Sequence, residues 1–374
     1  MGIKIKELKI GDLTARLPII QGGMGVGISL AGLASAVANQ GAIGVISASG
    51  IGLFEPDGAT NYLEANIRAL RKEIRKAREL TKGILGLNIL VASSNFDDMA
   101  RTAVEEGIDI IFSGAGLPLN LPQFLTQGKK TKLVPIVSSA RAARIIIKKW
   151  KEKYDYIPDA LVVEGPMAGG HLGFKLEQIN APEYSLENLV AEVIKEVRIF
   201  EEKYKKPIPV IAAGGIYTGA DMYKFLQMGA AGVQMATRFV TTFECDASPD
   251  FKQTYIDAGK DDIVIIKSPV GMPGRAIRNK FIDDVNKGER KPFKCPYHCI
   301  ITCDYKNSPY CIALALMSAQ KGNLKNGFAF AGENASRAEK IISVKELMKS
   351  LMEEYEEAVN KDKGNSRRKE KANY

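Results

Sequence analysis

A (β/α)8 barrel is the fold class this sequence predicts, and three observations carry the prediction. Eight short runs rich in β-branched residues recur along the chain, amphipathic segments separate them, and several of the runs end in glycine. The runs are LPIIQGG (17–23), AIGVISAS (42–49), GILGLNILVAS (83–93), IDIIFSGAG (108–116), KLVPIVSS (132–139), ALVVEGP (160–166), IPVIAAGG (208–215) and AAGVQMATRF (230–239). Nearly continuous apolar strands alternating with helices imply parallel strands buried on both faces. Eight such units close into a barrel, a fold of about 250 residues. An open doubly wound sheet is the competing architecture.

Helical spacing predicts helices over 29–39, 60–80, 95–106, 119–127, 140–153, 185–204, 218–228 and 248–258. In 185–204, Leu186, Leu189, Val190, Val193, Ile194, Val197 and Phe200 repeat on one helix face, with Ser185 as N-cap. Residues 260–374 leave the repeat: 270–285 begins as a loop and turns helical, a cysteine-dense segment follows, and 337–361 reads as one or two final helices. The expected organisation is a barrel over 1–259, a smaller helical cap over 260–361 and a basic disordered tail over 362–374.

Composition narrows the function classes. With 374 residues, 45% hydrophobic and 25% charged, the chain reads as a globular protein able to bury a full core. No apolar stretch approaches the roughly 20 residues of a membrane span, and MGIKIKELKIGD lacks the order of a signal peptide, so a cytoplasmic protein is expected. The net charge of +9 comes from Lys and Arg set among acids on amphipathic segments, with an excess in KDKGNSRRKEKANY. Aromatics are not interleaved with clustered Arg, so this predicts a solvated face and no nucleic-acid partner.

Reactive residues of such barrels sit where strands end, so the glycine-rich exits are the places to search. QGGMG (21–25) offers a backbone that can approach a flat ligand without Cβ interference. Asn88, polar within an apolar strand, needs partners that a heteroaromatic ring edge or the backbone can supply. AAGGIYTGAD (212–221) and GVQMATRF (232–239) end the seventh and eighth strands, bringing Thr237 and Arg238 beside a helix N-terminus. That pairing predicts an anion site for one phosphate group. His171, one of only two histidines, ends the AGGH turn in VVEGPMAGGHLGF, and its near-neutral titration suits proton exchange with a substrate. His298 lies among the cysteines, outside the barrel repeat.

Taken in order, PIIQGGMG, GLNI, EGPMAGGHLG, IPVIAAGGI, GVQMATRF and VGMPGRAIRNK resemble the motifs of the nitronate monooxygenase (2-nitropropane dioxygenase) family over residues 3–285. They are equally similar to those of its relatives, the flavin-dependent enoyl-ACP reductases. The resemblance implies an FMN-binding barrel with Gly22, Gly23 and Met24 against the isoalloxazine and Asn88 at its edge. It implies a phosphate held by Gly214, Gly215, Ile216, Ala236 and Thr237, with Gly170 and the catalytic His171 on one loop. Glu164, Ala213 and Gln234, from the same motifs, complete the expected cofactor set. Many relatives carry an acid where this chain has Met167, which predicts a less polar substrate side.

Two chemistries are implied. One is oxidation of alkyl nitronates by O2; the alternative is NAD(P)H-dependent reduction of an enoyl thioester, and a homodimer is a candidate assembly. A flavin-binding or RNA-binding regulatory protein is the non-enzyme alternative. The segment KCPYHCIITCDYKNSPYC adds Cys295, Cys299, Cys303 and Cys311, of which the first three share a face if the segment is helical. An iron–sulfur cluster or zinc is one expectation; buried, unliganded thiols are the other, since the spacing matches neither common zinc pairs nor the ferredoxin run.

Overall fold

The computed structural model describes residues 5–126, 128, 130–291 and 293–372, with side chains to residue 365. Its centre is a sheet of eight parallel strands: β1 (Ile19–Gln21), β2 (Gly44–Ser47), β3 (Leu85–Leu90), β4 (Ile110–Gly114), β5 (Lys132–Val137), β6 (Leu161–Glu164), β7 (Val210–Ala213) and β8 (Gly232–Met235). The order runs β1-β8-β7-β6-β5-β4-β3-β2, and a parallel bridge between Ile20 and Ile43 joins its two ends. Closure at this seam is reinforced by the buried side chain of Gln21, whose Oε1 accepts the N–H of Val45 at 2.9 Å.

Alternation along each strand divides the apolar residues between two cores. Ile20, Val45, Phe112, Val134, Val162 and Ile211 point inward; an N-terminal hairpin, Leu8–Ile10 with Leu13–Ala15, adds Leu8 and Ile10 to the same cluster. The outward residues pack against the helices, closely enough that a Cβ on Gly44 would lie 1.8 Å from the carbonyl oxygen of Ala34.

Helices Ala31–Asn39, Tyr62–Leu80, Phe96–Glu105, Ala140–Tyr154, Leu186–Tyr204, Gly219–Gln227 and Pro249–Asp257 stand where periodicity predicts them. Leu186–Tyr204 buries Leu186, Leu189, Val190, Val193, Val197 and Phe200 as expected, although Ser185 caps without a side-chain hydrogen bond. The predicted helix 119–127 is reduced to one 3-10 turn, Leu121–Phe124, and residue 127 lies outside the described residues. Pro122 restricts the backbone here, and Trp150 fixes the loop by donating from Nε1 to the carbonyl of Pro118 at 2.9 Å.

Beyond residue 260 the chain is mixed rather than wholly helical. Strands Ile263–Lys267 and Pro273–Ile277 form an antiparallel hairpin, and Gly170–His171 adds a third strand to it. With helices Lys280–Asn286 and Ile312–Gln320 this region builds its own core around Ile266, Phe281, Tyr310, Ile312 and Phe328. The last helix, Val344–Ala372, lies along Gly219–Gln227, where a Cβ on Gly219 would come 2.1 Å from the Leu351 carbonyl. It runs through the segment that composition predicts as disordered. Buried Leu347, Leu351, Tyr355 and Val359 nucleate it, and Lys, Arg and Glu are good helix formers. Among the described residues no helix is long and apolar enough to cross a membrane.

Candidate functional site

A cavity of about 670 Å³ opens at the C-terminal ends of the barrel strands. The thirteen residues expected to bind a cofactor all line it, and so does His171: Gly22, Gly23 and Met24 after β1, Asn88 on β3, Glu164 and Gly170 at the β6 exit, Ala213, Gly214, Gly215 and Ile216 after β7, and Gln234, Ala236 and Thr237 at β8. Convergence of residues spread over more than two hundred positions follows from barrel closure, which places every strand end on one face.

Asn88, Glu164 and Gln234 supply polar side chains at the tops of their strands. A Cβ on Gly23 would lie 2.3 Å from the Asn88 Cβ, and one on Gly22 would lie 3.3 Å from the Gln234 Cγ. Gly23 is therefore needed for contact between strand tops, whereas at Gly22 the Gln234 side chain would be only slightly crowded.

The anion end is built by the loop after β7. Gly214 and Gly215 have φ of +89° and +94°, a region open to glycine, and the N–H groups of Gly214, Gly215 and Ile216 have no hydrogen-bond partner among the described residues. Thr237 faces them; its Oγ1 accepts the Gly332 N–H at 3.1 Å, which leaves the hydroxyl proton for a ligand. Gly332 and Asn334 come from a segment that sequence reasoning missed, and Asn334 Nδ2 donates to the Gly215 carbonyl at 2.7 Å. The Gly- and Ala-rich stretch FAFAGENAS (328–336) was the available signal.

Two expectations change here. The N-terminus of helix Gly219–Gln227 is not open to an anion, because the Asp221 carboxylate accepts the N–H groups of Tyr217 and Thr218 while Glu354 accepts that of Gly219 at 2.7 Å. Arg238 points to the last helix, pairing with Glu354 at 2.9 Å and donating to the Tyr217 carbonyl. Met167 lines the cavity and packs on Gly215, its Sδ 3.1 Å from where a Cβ would be.

His171 is positioned by the three-stranded sheet, in which it pairs with Gly274. Gly170 before it has φ of +77°, which turns the chain out of the β6 exit. The imidazole Nε2 lies 2.7 Å from Ser268 Oγ, and the ring packs edge-on against Phe330 at 5.0 Å. Burial pushes its pKa down to about 4, so the ring is neutral at pH 7. Arg275, on the same sheet, is 3% exposed; it donates to the carbonyls of Pro166 and Ala168 and pairs with Glu333 at 2.8 Å, clamping the loop that leads to His171. Ser268 carried no sequence signal, since its partner is 97 residues away.

The cysteine segment does not form the helix that would align its first three thiols. It contains no helix between Cys295 and Cys303, where Pro296 interrupts, so spacing by four does not align the thiols on one face. Among the described residues no group of three or more His, Cys, Asp or Glu side chains is gathered to hold a metal ion. Instead Cys299 lines the cavity, and burial together with the neighbouring Cys311, Cys295 and Cys303 pushes its thiol up to about 12. The segment docks on the β3 exit, where Ser94 and Ile301 donate to the carbonyls of Cys299 and Ala92.

Comparison with known proteins adds to this geometry. A family model described as nitronate monooxygenase matches residues 6–354. The chain is 24% identical over 385 residues to a probable nitronate monooxygenase of Staphylococcus saprophyticus, covering 96% of this chain and 100% of that one. It is 28% identical over 273 residues to the (3aS,4S,5R,7aS)-5-hydroxy-7a-methyl-1-oxo-octahydro-1H-indene-4-carboxyl-CoA dehydrogenase of Mycobacterium tuberculosis, covering 73% of this chain and 66% of that relative. Among solved structures, FabK from Thermotoga maritima matches with a TM-score of 0.72 at 28% identity, covering 93% of this chain and 96% of that one.

Proposed function

We propose, because this chain belongs to the nitronate monooxygenase family, that it is an FMN-dependent oxidoreductase that uses O2 to oxidise alkyl nitronates to carbonyl compounds and nitrite. The observation that carries the reading is the meeting of a neutral, hydrogen-bonded histidine with an anion cradle and three polar strand ends in one cavity. The unpartnered amides of Gly214, Gly215 and Ile216 and the hydroxyl of Thr237 fit a phosphate, and Asn88 and Gln234 fit the edge of a flat heteroaromatic ring. Bound there, FMN supplies the electron-transfer chemistry that no side chain of this cavity can.

The protein's own part is binding, orientation and proton handling. A neutral imidazole can accept a proton from the α-carbon of a nitroalkane or donate a hydrogen bond to a nitronate oxygen. Ser268 holds the ring in one orientation, and Phe330 packs edge-on against it.

A second reading, reduction of an enoyl thioester by NAD(P)H, is favoured by one observation. Leu53, Ile300, Ile312 and Leu316 give the cavity an apolar wall suited to an acyl chain. One experiment separates the readings: the FMN-loaded protein is mixed with an alkyl nitronate in air, and separately with NADH or NADPH and an enoyl thioester. Nitrite release matched to O2 uptake is the expected result. Pyridine-nucleotide oxidation coupled to thioester reduction, without nitrite, overturns the first reading, and failure to take up flavin removes both.

A further inference from the structure

One of the three polar strand ends is a carboxyl group. Glu164 ends β6 in register with Ala213 of β7, half-buried with its open side toward the cavity, and its carboxyl makes no hydrogen bond or ion pair among the described residues. The fully buried acids are treated differently: Asp159, Glu196 and Asp284 are paired with Lys206, Arg144 and Lys280.

No Lys or Arg side chain lines the cavity among the described residues. The charged or titrating groups around Glu164 are few. From its own exit loop comes His171, neutral at pH 7; from the hairpin comes Arg275, committed to two carbonyls and to Glu333; from the C-terminal segment comes Glu333 itself. Burial raises the pKa of Cys299 and of the lining Tyr62, Tyr217 and Tyr255, which keeps them uncharged at that pH. A negative charge generated inside this cavity therefore meets no cation on its walls, and in an enclosed, low-dielectric site such a charge is costly.

We propose that Glu164 takes up a proton when a flavin bound in this cavity is reduced. The inference rests on the FMN reading of the preceding section. Two electrons enter with two protons: one proton goes to the flavin, leaving it with one negative charge, and the other converts the Glu164 carboxylate to the neutral acid. The charge enclosed in the cavity is the same before and after. Burial already pushes the Glu164 pKa up to about 7, so its carboxylate is available above neutral pH and ready to accept a proton once a second negative charge appears beside it.

The test is the pH dependence of the flavin midpoint potential, measured by spectroelectrochemistry on FMN-loaded wild type and Glu164→Gln from pH 7 upward. Two protons per electron pair are expected in the wild type and one in the variant, which halves the slope. Equal slopes overturn the proposal and leave the FMN reading intact. Infrared difference spectra of the wild type, reduced minus oxidised, give a second readout independent of the variant's folding. A new carboxylic-acid C=O band supports the uptake, and a wild-type spectrum without one overturns it. A chain that binds no FMN overturns both readings, an outcome distinct from equal slopes.

Discussion

His171 and Glu164 are two ionisable side chains whose charged forms one cavity disfavours, and this makes their effects on stability opposite. The folded-state pKa of His171 is about 4, below the ordinary 6.5, so between these values the unfolded chain binds more protons and stability rises with pH. Glu164 is raised from 4.5 to about 7, so its contribution is fully present below 4.5 and is lost as pH rises to 7. At 1.36 kcal/mol per unit, each is worth about 3 kcal/mol, and in the flavin-free wild type they nearly cancel where the windows overlap. Denaturant unfolding as a function of pH should then show His171→Asn losing stability relative to wild type as pH rises from 4 to 6.5, and Glu164→Gln gaining it from 4.5 to 7. Variants that both parallel the wild type would contradict this assignment. In catalysis, His171→Asn should lower kcat by about 10²- to 10⁴-fold while FMN remains bound, as checked by turnover and flavin absorbance. The histidine was legible in the sequence because it stands alone after a glycine turn at a strand exit. Ser268, which orients it, was not, because a serine in a loop has no periodicity and acquires its role only from a distant partner.

At the scale of elements, the strand tops pack directly on one another. Gly23→Ala would drive a methyl group into the Asn88 side chain, so about 1–3 kcal/mol of stability should be lost in chemical denaturation, with weaker FMN binding by fluorescence titration. The β6 exit loop depends on a buried charge. Arg275→Met removes one partner of the pair with Glu333 and leaves the carbonyls of Pro166 and Ala168 without their donor, so a loss of about 3–5 kcal/mol is expected, with faster proteolytic cleavage near 166–170. Helices with a strong apolar stripe, such as Leu186–Tyr204, could be read from spacing alone. The hairpin Ile263–Lys267 with Pro273–Ile277 could not, since its partner strand is the two-residue Gly170–His171. The cysteine segment failed for another reason: the i, i+4 rule applies only where a helix forms, and Pro296 lies within the spacing it was applied to.

For the whole molecule, the cavity has walls from two parts of the chain: barrel strand ends on one side, and Ser268-bonded His171, Cys299, Phe330 and Gly332 from or against the C-terminal region on the other. A ligand bound there contacts both. FMN at a hundred times its Kd should raise stability by about 2.7 kcal/mol, and barrel and cap should unfold in one transition. Flavin release, far-UV circular dichroism and tryptophan fluorescence from the single Trp150, measured during thermal unfolding, should coincide. Separate midpoints would show that the cap does not close the site.

The sequence by itself determined the fold class, the strand ends that matter and the identity of His171, because strand alternation, helix periodicity and glycine turns are local properties of the chain. It also determined which barrel residues meet in the cavity, since closing eight parallel strands leaves their ends no other place to go. Only the tertiary structure decided that Asp221 and Glu354 occupy the helix N-terminus expected to hold phosphate, that Arg238 turns away, and that no helix aligns the first three cysteines. The Asp221 cap is local, but Glu354 and Arg238 meet across 116 residues, a pairing that nothing local in the chain encodes.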